Sequence, residues 1–209
     1  MSRTINRLNE ERFENPPEQP FSWVQDWLEQ AKTADLLEPT AMNLATLDAQ
    51  GRPANRVVLC KGFADNEVHF YTNYSGRKGQ ELLKTPTAAL CFWWDQLDRQ
   101  IRLQGRVRQL PAAESDAYFA SRPRGSQLGA WASDQSRPIA SRRAMEERYA
   151  QIEERFTGVD SIPRPPHWGG FALSADWVEL WQGQANRFHD RVTYTRQSDA
   201  SWSIERLQP

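Results

Sequence analysis

Residues 99–110, RQIRLQGRVRQL, alternate with a two-residue period. Ile101, Leu103, Gly105 and Val107 fall on one side, and Gln100, Arg102, Gln104 and Arg106 on the other. That period belongs to a β-strand with one apolar and one polar face. Similar short runs recur along the chain: MNLATLD, NRVVLCK, EVHFYTN and TAALCFWW before it, then GGFALS, DWVELWQG, NRFHDRVTYTR and WSIERL. Turn signals such as DAQGRP lie between them. Helical patterns interrupt the strands. Ser22 can cap a helix carrying Trp23, Trp27 and Ala31, a short helix follows Ser75, and Pro111 opens one that runs to about Ser121. A longer helix keeps Met145, Tyr149, Ile152 and Phe156 in helical spacing, after a loop RPRGSQLGAWASDQSRP. Strands joined by hairpin-length turns and interrupted by helices predict a mainly β, α+β fold: an antiparallel barrel-like sheet with helices packed outside. No strand runs into a GxGxxG helix, which argues against a dinucleotide-binding domain.

The 209 residues suit one domain, expected over 21–209 behind a flexible polar arm at 1–20. Lys and Arg total 26 against 27 Asp and Glu, so nothing points to nucleic acid or an anionic membrane, and no apolar run is long enough to span a bilayer. The first residues have no apolar signal core, and Cys60 and Cys91 sit in apolar runs as expected free thiols. A cytoplasmic protein without a metal site is expected. Nine Trp hint at a dimer interface or a planar cofactor without separating the two.

Four segments concentrate chemistry. In SGRKGQELLK, Ser75 is a credible cap, placing Arg77 and Lys78 in a first helical turn where the partial positive charge disfavours cations. A phosphate would reverse that sign; the alternative is two side chains that bend into water. In NRVVLCK, Arg56 and Lys61 are five apart and face opposite ways on a regular strand, so a shared ligand requires the strand to bulge or end before Lys61. A snorkelling Arg and a strand-end Lys are the plainer account. In YFASRPRGSQLGAWASDQS, Tyr118 and Arg122 share a helix face, and Gly125, Ser126, Ser133, Gln135 and Ser136 offer donors in a loop, although an ordinary helix end would look the same. In WQGQANRFHDR, read as a strand, Arg187, His189 and Arg191 project to one face, suited to a phosphorylated aromatic ligand or simply to a solvated edge.

Together with PTAMNLATLD, RVVLCKGF, FYTNYSGRKGQEL, RQIRLQGRV and PRPPHWGG, these segments occur in an order and spacing that resemble the pyridoxine/pyridoxamine 5′-phosphate oxidase family, over roughly residues 21–209. SRPRGSQLGAW and the RxHDR end carry most of the specificity. The resemblance implies a split β-barrel homodimer that binds FMN at the subunit interface, with the strands of about 168–209 contributing to dimer and active site. It implies an FMN site formed by Arg56, Val57, Val58, Leu59, Cys60 and Lys61, by Tyr71 and Thr72, by the phosphate-binding pair Arg77 and Lys78, and by Gln100, Trp181 and Arg191. Gln135 and Ser136 are expected to reach that site from the other subunit. Substrate phosphate would be held by Lys61, Tyr118, Arg122 and Ser126, with Arg187 and His189 over the pyridine ring and the reacting carbon as the catalytic pair.

The implied reaction oxidises C4′ of pyridoxine or pyridoxamine 5′-phosphate to pyridoxal 5′-phosphate, with O2 as acceptor and hydrogen peroxide as product; the amine also yields ammonia. The other readings are a related flavin oxidase with a different substrate and a non-catalytic FMN- or pyridoxal-phosphate-binding protein. One departure is an Arg-x-x-Tyr segment that often folds over substrate in this family: the chain has no Tyr before Tyr71.

Overall fold

The computed structural model describes residues 10–64 and 66–209. A nine-stranded antiparallel sheet forms its centre. The strands are β1 (Ala41–Leu47), β2 (Pro53–Leu59), β3 (Gly62–Ala64), β4 (Glu67–Asn73), β5 (Thr87–Trp94), β6 (Arg99–Gln109), β7 (Trp168–Gln182), β8 (Asp190–Arg196) and β9 (Trp202–Arg206). The helices are α1 (Glu10–Glu14), α2 (Pro20–Thr33), α3 (Arg77–Lys84), α4 (Ala112–Ser121), α5 (Arg124–Ala132) and α6 (Arg142–Arg155). The sheet runs β2-β1-β5-β6-β7-β4-β3, and β8 and β9 continue from β7.

Strand β7 makes the sheet curl. GGFALS and DWVELWQG, expected as two strands, are one strand of 15 residues. Its first half pairs with β4, its second half with β8, and β6 follows it across both. The change of partner coincides with a register shift beside Gly105, where Gln104 faces Trp177 and Gly105 faces Ala175. A bulge bends a strand and increases its twist, so one chain segment can serve both arms of a split barrel. Gly105 permits the close approach: a Cβ there would lie 2.0 Å from the Ser174 carbonyl oxygen.

Register fixes the two faces of this sheet. Arg56, Leu44, Leu90, Leu103, Val178 and Tyr194 pair in turn across β2, β1, β5, β6, β7 and β8, and all but Arg56 are buried in the main core. Three residues along, Trp93, Gln100, Trp181 and Arg191 form a row on the opposite face, and Val57, next to Arg56 on β2, points to that face too. That face is uncovered at Val57, 65% exposed, and at Trp93, 53% exposed.

Helix α2 buries Trp23, Val24, Trp27, Leu28 and Ala31 against the core, as the apolar stripe predicts. It starts at Pro20 rather than at Ser22, with Gln19 as the capping position; Pro at the first position needs no amide partner. The structure also differs from the expected arm. Residues 1–9 lie outside the described residues, but Phe13 is buried edge-on against Trp23 at 4.9 Å, and the Pro17 carbonyl accepts a hydrogen bond from Tyr194 Oη at 3.0 Å. An aromatic anchor and a satisfied buried hydroxyl hold this stretch to the domain. A second, smaller core gathers Phe119, Leu128, Phe156, Ile162 and Trp168 under α4, α5 and α6. No helix among the described residues is long and apolar enough to cross a membrane.

Candidate active site

Three clusters hold most of the residues singled out by the sequence. The first is a basic cradle at the start of α3. Asn73 Oδ1 accepts from the backbone amides of Ser75 and Gly76, and Gly76, not Ser75, occupies the capping position. Arg77 and Lys78 still open the helix. Lys78 Nζ donates to Gln135 Oε1 at 2.7 Å and to Thr72 Oγ1 at 3.2 Å. Arg56 reaches the same place from β2, donating to Thr46 Oγ1 at 2.6 Å and to Glu81 Oε2 at 2.9 Å, while Arg77 Nε meets Glu81 Oε1 at 2.8 Å.

Glu81 is thus the carboxylate between Arg56 and Arg77. Burial pushes its pKa up, but hydrogen bonds from Thr46 and Arg77 and the charge of Arg56 hold it below its ordinary value. Lys78 moves the other way: burial, then the Arg56 charge, push its pKa down, with Glu81 partly opposing. Arg56, Arg77 and Lys78 against Glu81 leave the cradle with surplus positive charge at a helix N-terminus, the electrostatics of an anion site. Gly76 lets Gln135 in, since a Cβ there would sit 2.8 Å from Gln135 Oε1. Gln135 therefore meets Lys78 within one chain, where it was expected to reach across from the other subunit. Ser136 follows it in a left-handed conformation, φ 68°.

The second cluster is an aromatic platform beside Arg122. Tyr71 stacks on Tyr118 with centroids 3.9 Å apart, both lie parallel to Trp168, and the Arg122 guanidinium sits 4.6 Å from the Trp168 centroid. The reason for this convergence differs from a shared helix face. Arg122 precedes Pro123, which disfavours helical backbone, so α4 ends and Arg122 is extended. Burial lowers the Arg122 pKa, with Tyr118 partly opposing, and its Nη1 is buried without a hydrogen-bond partner among the described residues. A buried, unsatisfied guanidinium nitrogen is costly unless a ligand completes it. Ser126 lies in the first turn of α5, since residues 124–132 form a helix where a loop was expected. Pro123 fits that helix as its capping boundary rather than as an interruption.

The third cluster is the outward row of Gln100, Trp181 and Arg191. Arg191 is oriented by Glu179, whose carboxylate is 1% exposed and takes Arg191 Nε at 2.7 Å and Arg102 Nη1 at 2.7 Å. His189 packs against Trp181 at 4.7 Å between centroids. The expected common face of Arg187, His189 and Arg191 is not formed. β8 starts only at Asp190, and Ala185–Arg187 make a 3-10 turn in which Asn186 and Arg187 have φ of 56° and 63°. A two-residue period holds only along extended backbone.

Of the remaining residues, Val58 packs on the main core and Cys60 is buried, its thiol pushed up to about 11 by burial. β2 ends at Leu59 and β3 begins at Gly62, so the strand does break before Lys61. Lys61 lines a cavity with Lys32, Thr40, Cys60 and Phe63, separate from the Tyr118 and Arg122 platform in its lining. Sequence reasoning missed Glu81, Glu179 and Trp168. Glu81 stands four residues after Arg77, a helical pairing distance; Glu179 is a carboxylate inside an apolar strand, which signals a buried pair.

Residues 28–156 match a family model described as pyridoxamine 5′-phosphate oxidase, and residues 168–209 match one described as the pyridoxine 5′-phosphate oxidase C-terminal dimerisation region. The chain belongs to the pyridoxamine 5′-phosphate oxidase family. Proteins named pyridoxine/pyridoxamine 5′-phosphate oxidase are similar at this level. That of Cyanothece sp. is 50% identical over 190 residues, 91% of this chain and 88% of that protein. That of Chromobacterium violaceum is 53% identical over 183 residues, 88% and 85% of the two chains. Among solved structures, PhzG from Burkholderia lata 383, in complex with tetrahydrophenazine-1-carboxylic acid, superposes with a TM-score of 0.89 at 31% identity, covering 95% of this chain and 96% of that one. An FMN-binding protein from Nostoc punctiforme shares the fold, with a TM-score of 0.73 at 19% identity over 93% of this chain and 99% of that one. The split-barrel architecture and an oxidase of this family are therefore common ground between sequence and structure.

Proposed function

We propose that this chain oxidises pyridoxine 5′-phosphate or pyridoxamine 5′-phosphate to pyridoxal 5′-phosphate, using FMN and O2. The observation that carries the reading is a second cationic cluster, separate in its residues from the α3 cradle: Arg122, with its buried unpartnered Nη1, beside stacked Tyr118, Tyr71 and Trp168. A phosphorylated cofactor and a phosphorylated planar substrate need two such sites.

The cradle fits the phosphate of FMN by its surplus charge and its desolvated lysine. Arg56, Arg77 and Lys78, with Thr72, Gln135 and Ser136 beside them, would hold that phosphate. Val57, Val58 and Leu59 of β2, with Cys60 just after it, would lie along the cofactor, and Gln100, Trp181 and Arg191 would border its ring. When bound, FMN supplies the two-electron acceptor that O2 regenerates. The protein's own contribution is orientation and charge. Arg122, Tyr118 and Ser126 would hold the substrate phosphate, joined by Lys61 only if the dimer brings its separate cavity to them, while Arg187 and His189 would orient the pyridine ring and any proton moving near C4′. Since the cradle residue Arg56 and the row at Trp181 point to opposite faces of one sheet, a homodimer would complete each site, and the uncovered Val57 and Trp93 would be buried by it. Unpaired Cys60 and Cys91 suit a reducing cytoplasm.

The test is peroxide and aldehyde formation by FMN-loaded protein with each phosphorylated vitamer. Turnover of either supports the reading; stoichiometric flavin without turnover overturns it. The likeness to PhzG favours a second reading, an oxidase of a larger tricyclic substrate, which would turn over unphosphorylated ring compounds and be indifferent to Arg122.

A further inference from the structure

His189 sits in a turn whose geometry is held from outside. The backbone N–H of Gln184 donates to His189 Nδ1 at 3.1 Å. A backbone N–H can only donate, so Nδ1 must be the acceptor and the ring proton belongs on Nε2. Gln184 is itself tied: its Nε2 donates to Asp190 Oδ2 at 2.8 Å, and Asp190 Oδ1 takes Arg206 Nη2 at 2.5 Å. Arg206 continues to Glu14 of α1 through Nη1 at 2.5 Å. Both ends of the five-residue turn are therefore clamped, from residue 184 before it and residue 190 after it. Between them, Asn186 and Arg187 are in the left-handed region that few non-glycine residues occupy, so the turn is one that its surroundings must hold.

We propose that Gln184 and Asp190 are positioning residues for His189: with Arg206 they form a brace that fixes which imidazole nitrogen carries the proton and where the ring stands against Trp181. The Asp190 carboxylate touches neither His189 nor Arg187 in its hydrogen bonds; it acts through the Gln184 side chain. This inference rests on the oxidase reading only for its kinetic arm. The tautomer is a property of the protein alone.

The chain has three histidines, so histidine-selective 15N labelling can resolve His189, assigned by comparison with His189→Asn. The FMN-loaded wild type is expected to show an unprotonated Nδ1 and a protonated Nε2. Gln184→Ala and Asp190→Ala should mix the tautomers and lower kcat by roughly 10- to 100-fold, the scale of an ångström-level misplacement, while FMN absorbance remains. Asp190→Asn keeps an acceptor for Gln184 Nε2 and should recover the single tautomer and most of kcat. Because both residues act along one path, the double variant Gln184→Ala/Asp190→Ala should be no slower than the worse single variant. A tautomer unchanged in both single variants overturns the brace, as do losses that multiply in the double variant. Gln184→Ala leaves the Asp190–Arg206 pair intact, so it remains informative if Asp190→Ala does not fold. Were the wild type to turn over neither vitamer, the oxidase reading would fail while the 15N spectra still decided the brace.

Discussion

Lys78→Met separates binding from folding at the cradle. In the absence of phosphate, Lys78 is a poor investment for the folded state: burial and the Arg56 charge lower its pKa, so the charged form is less favourable there than in the unfolded chain. The sign follows. This penalty is present at pH values below the folded pKa and fades as pH rises through it towards the ordinary value of 10.5. Removing the charge at neutral pH relieves that penalty and loses the bonds to Gln135 and Thr72, each worth about 1 kcal/mol net. The two changes oppose each other, so apo stability should move by no more than about 1 kcal/mol, or roughly 2–4 °C in Tm for a chain of this size. A phosphate contact is different in kind. A hydrogen bond between charged groups contributes about 1.5–3 kcal/mol, which corresponds to a loss of about 10- to 150-fold in FMN affinity.

The same numbers predict the ligand's effect on melting. At an FMN concentration about 100 times the wild-type Kd, binding stabilises the wild type by about 2.7 kcal/mol. With Kd weakened about 50-fold, that falls to roughly 0.6 kcal/mol. The FMN-induced rise in Tm should shrink from about 5–10 °C to about 1–3 °C. Fluorescence quenching of free flavin gives Kd, and thermal melts at equal protomer concentration give the rest. A Lys78→Met protein that binds FMN normally, or one whose apo form collapses, would refute the reasoning.

Glu81→Gln should cost about 2–3 kcal/mol near neutral pH, because Arg56 and Arg77 lose their shared carboxylate. Since the Glu81 pKa is depressed, the difference from wild type in denaturant melts should be full above the ordinary value of 4.5 and vanish as pH falls below it; a pH-independent difference contradicts the pairing. Gly105→Ala forces a Cβ into the Ser174 carbonyl and should destabilise by about 3 kcal/mol, with an unchanged Tm counting against the close approach. Arg122→Ala should raise KM for the phosphorylated vitamers about 10- to 100-fold with FMN affinity intact; reduced flavin binding with unchanged KM would reassign it. Lys78→Glu and Trp181→Ala, each inactive alone, should recover about a quarter of wild-type turnover when dissociated and re-mixed, because half the dimers are mixed and each has one intact site. No recovery would put both half-sites in one subunit.

The strands were legible wherever the two-residue period ran unbroken, as in β6, because burial of one face writes itself directly into the residue order. The partner change in β7 was not, since a bulge beside Gly105 depends on which carbonyl approaches, and a lone glycine in a strand announces only that something comes near. The cradle was half legible. Two cations opening α3 were visible as an electrostatic anomaly, but Glu81, which partly neutralises the cradle, looked like one more polar residue on a helix. Arg187 and His189 were singled out by a pattern that the backbone does not follow. Their strand-like spacing fails at the left-handed Asn186 and Arg187, and a network through Gln184, Asp190 and Arg206 takes its place.

The farthest step from sequence concerns faces. Period alone places Arg56 and Val57 on opposite sides of β2, and Gln100 and Ile101 on opposite sides of β6, but register is what aligns Arg56 with the core row and Gln100 with Trp181 and Arg191 on the other side. Arg56 survives on the core side because Thr46 and Glu81 satisfy it there. Trp93 and Val57 on the other side have no such compensation: large apolar side chains stand in solvent beside a built polar row. A second copy laid against them would remove that cost, and the match of residues 168–209 to the family's C-terminal dimerisation region supports one there, so the feature that makes the lone chain look unfinished is the one a homodimer would cover.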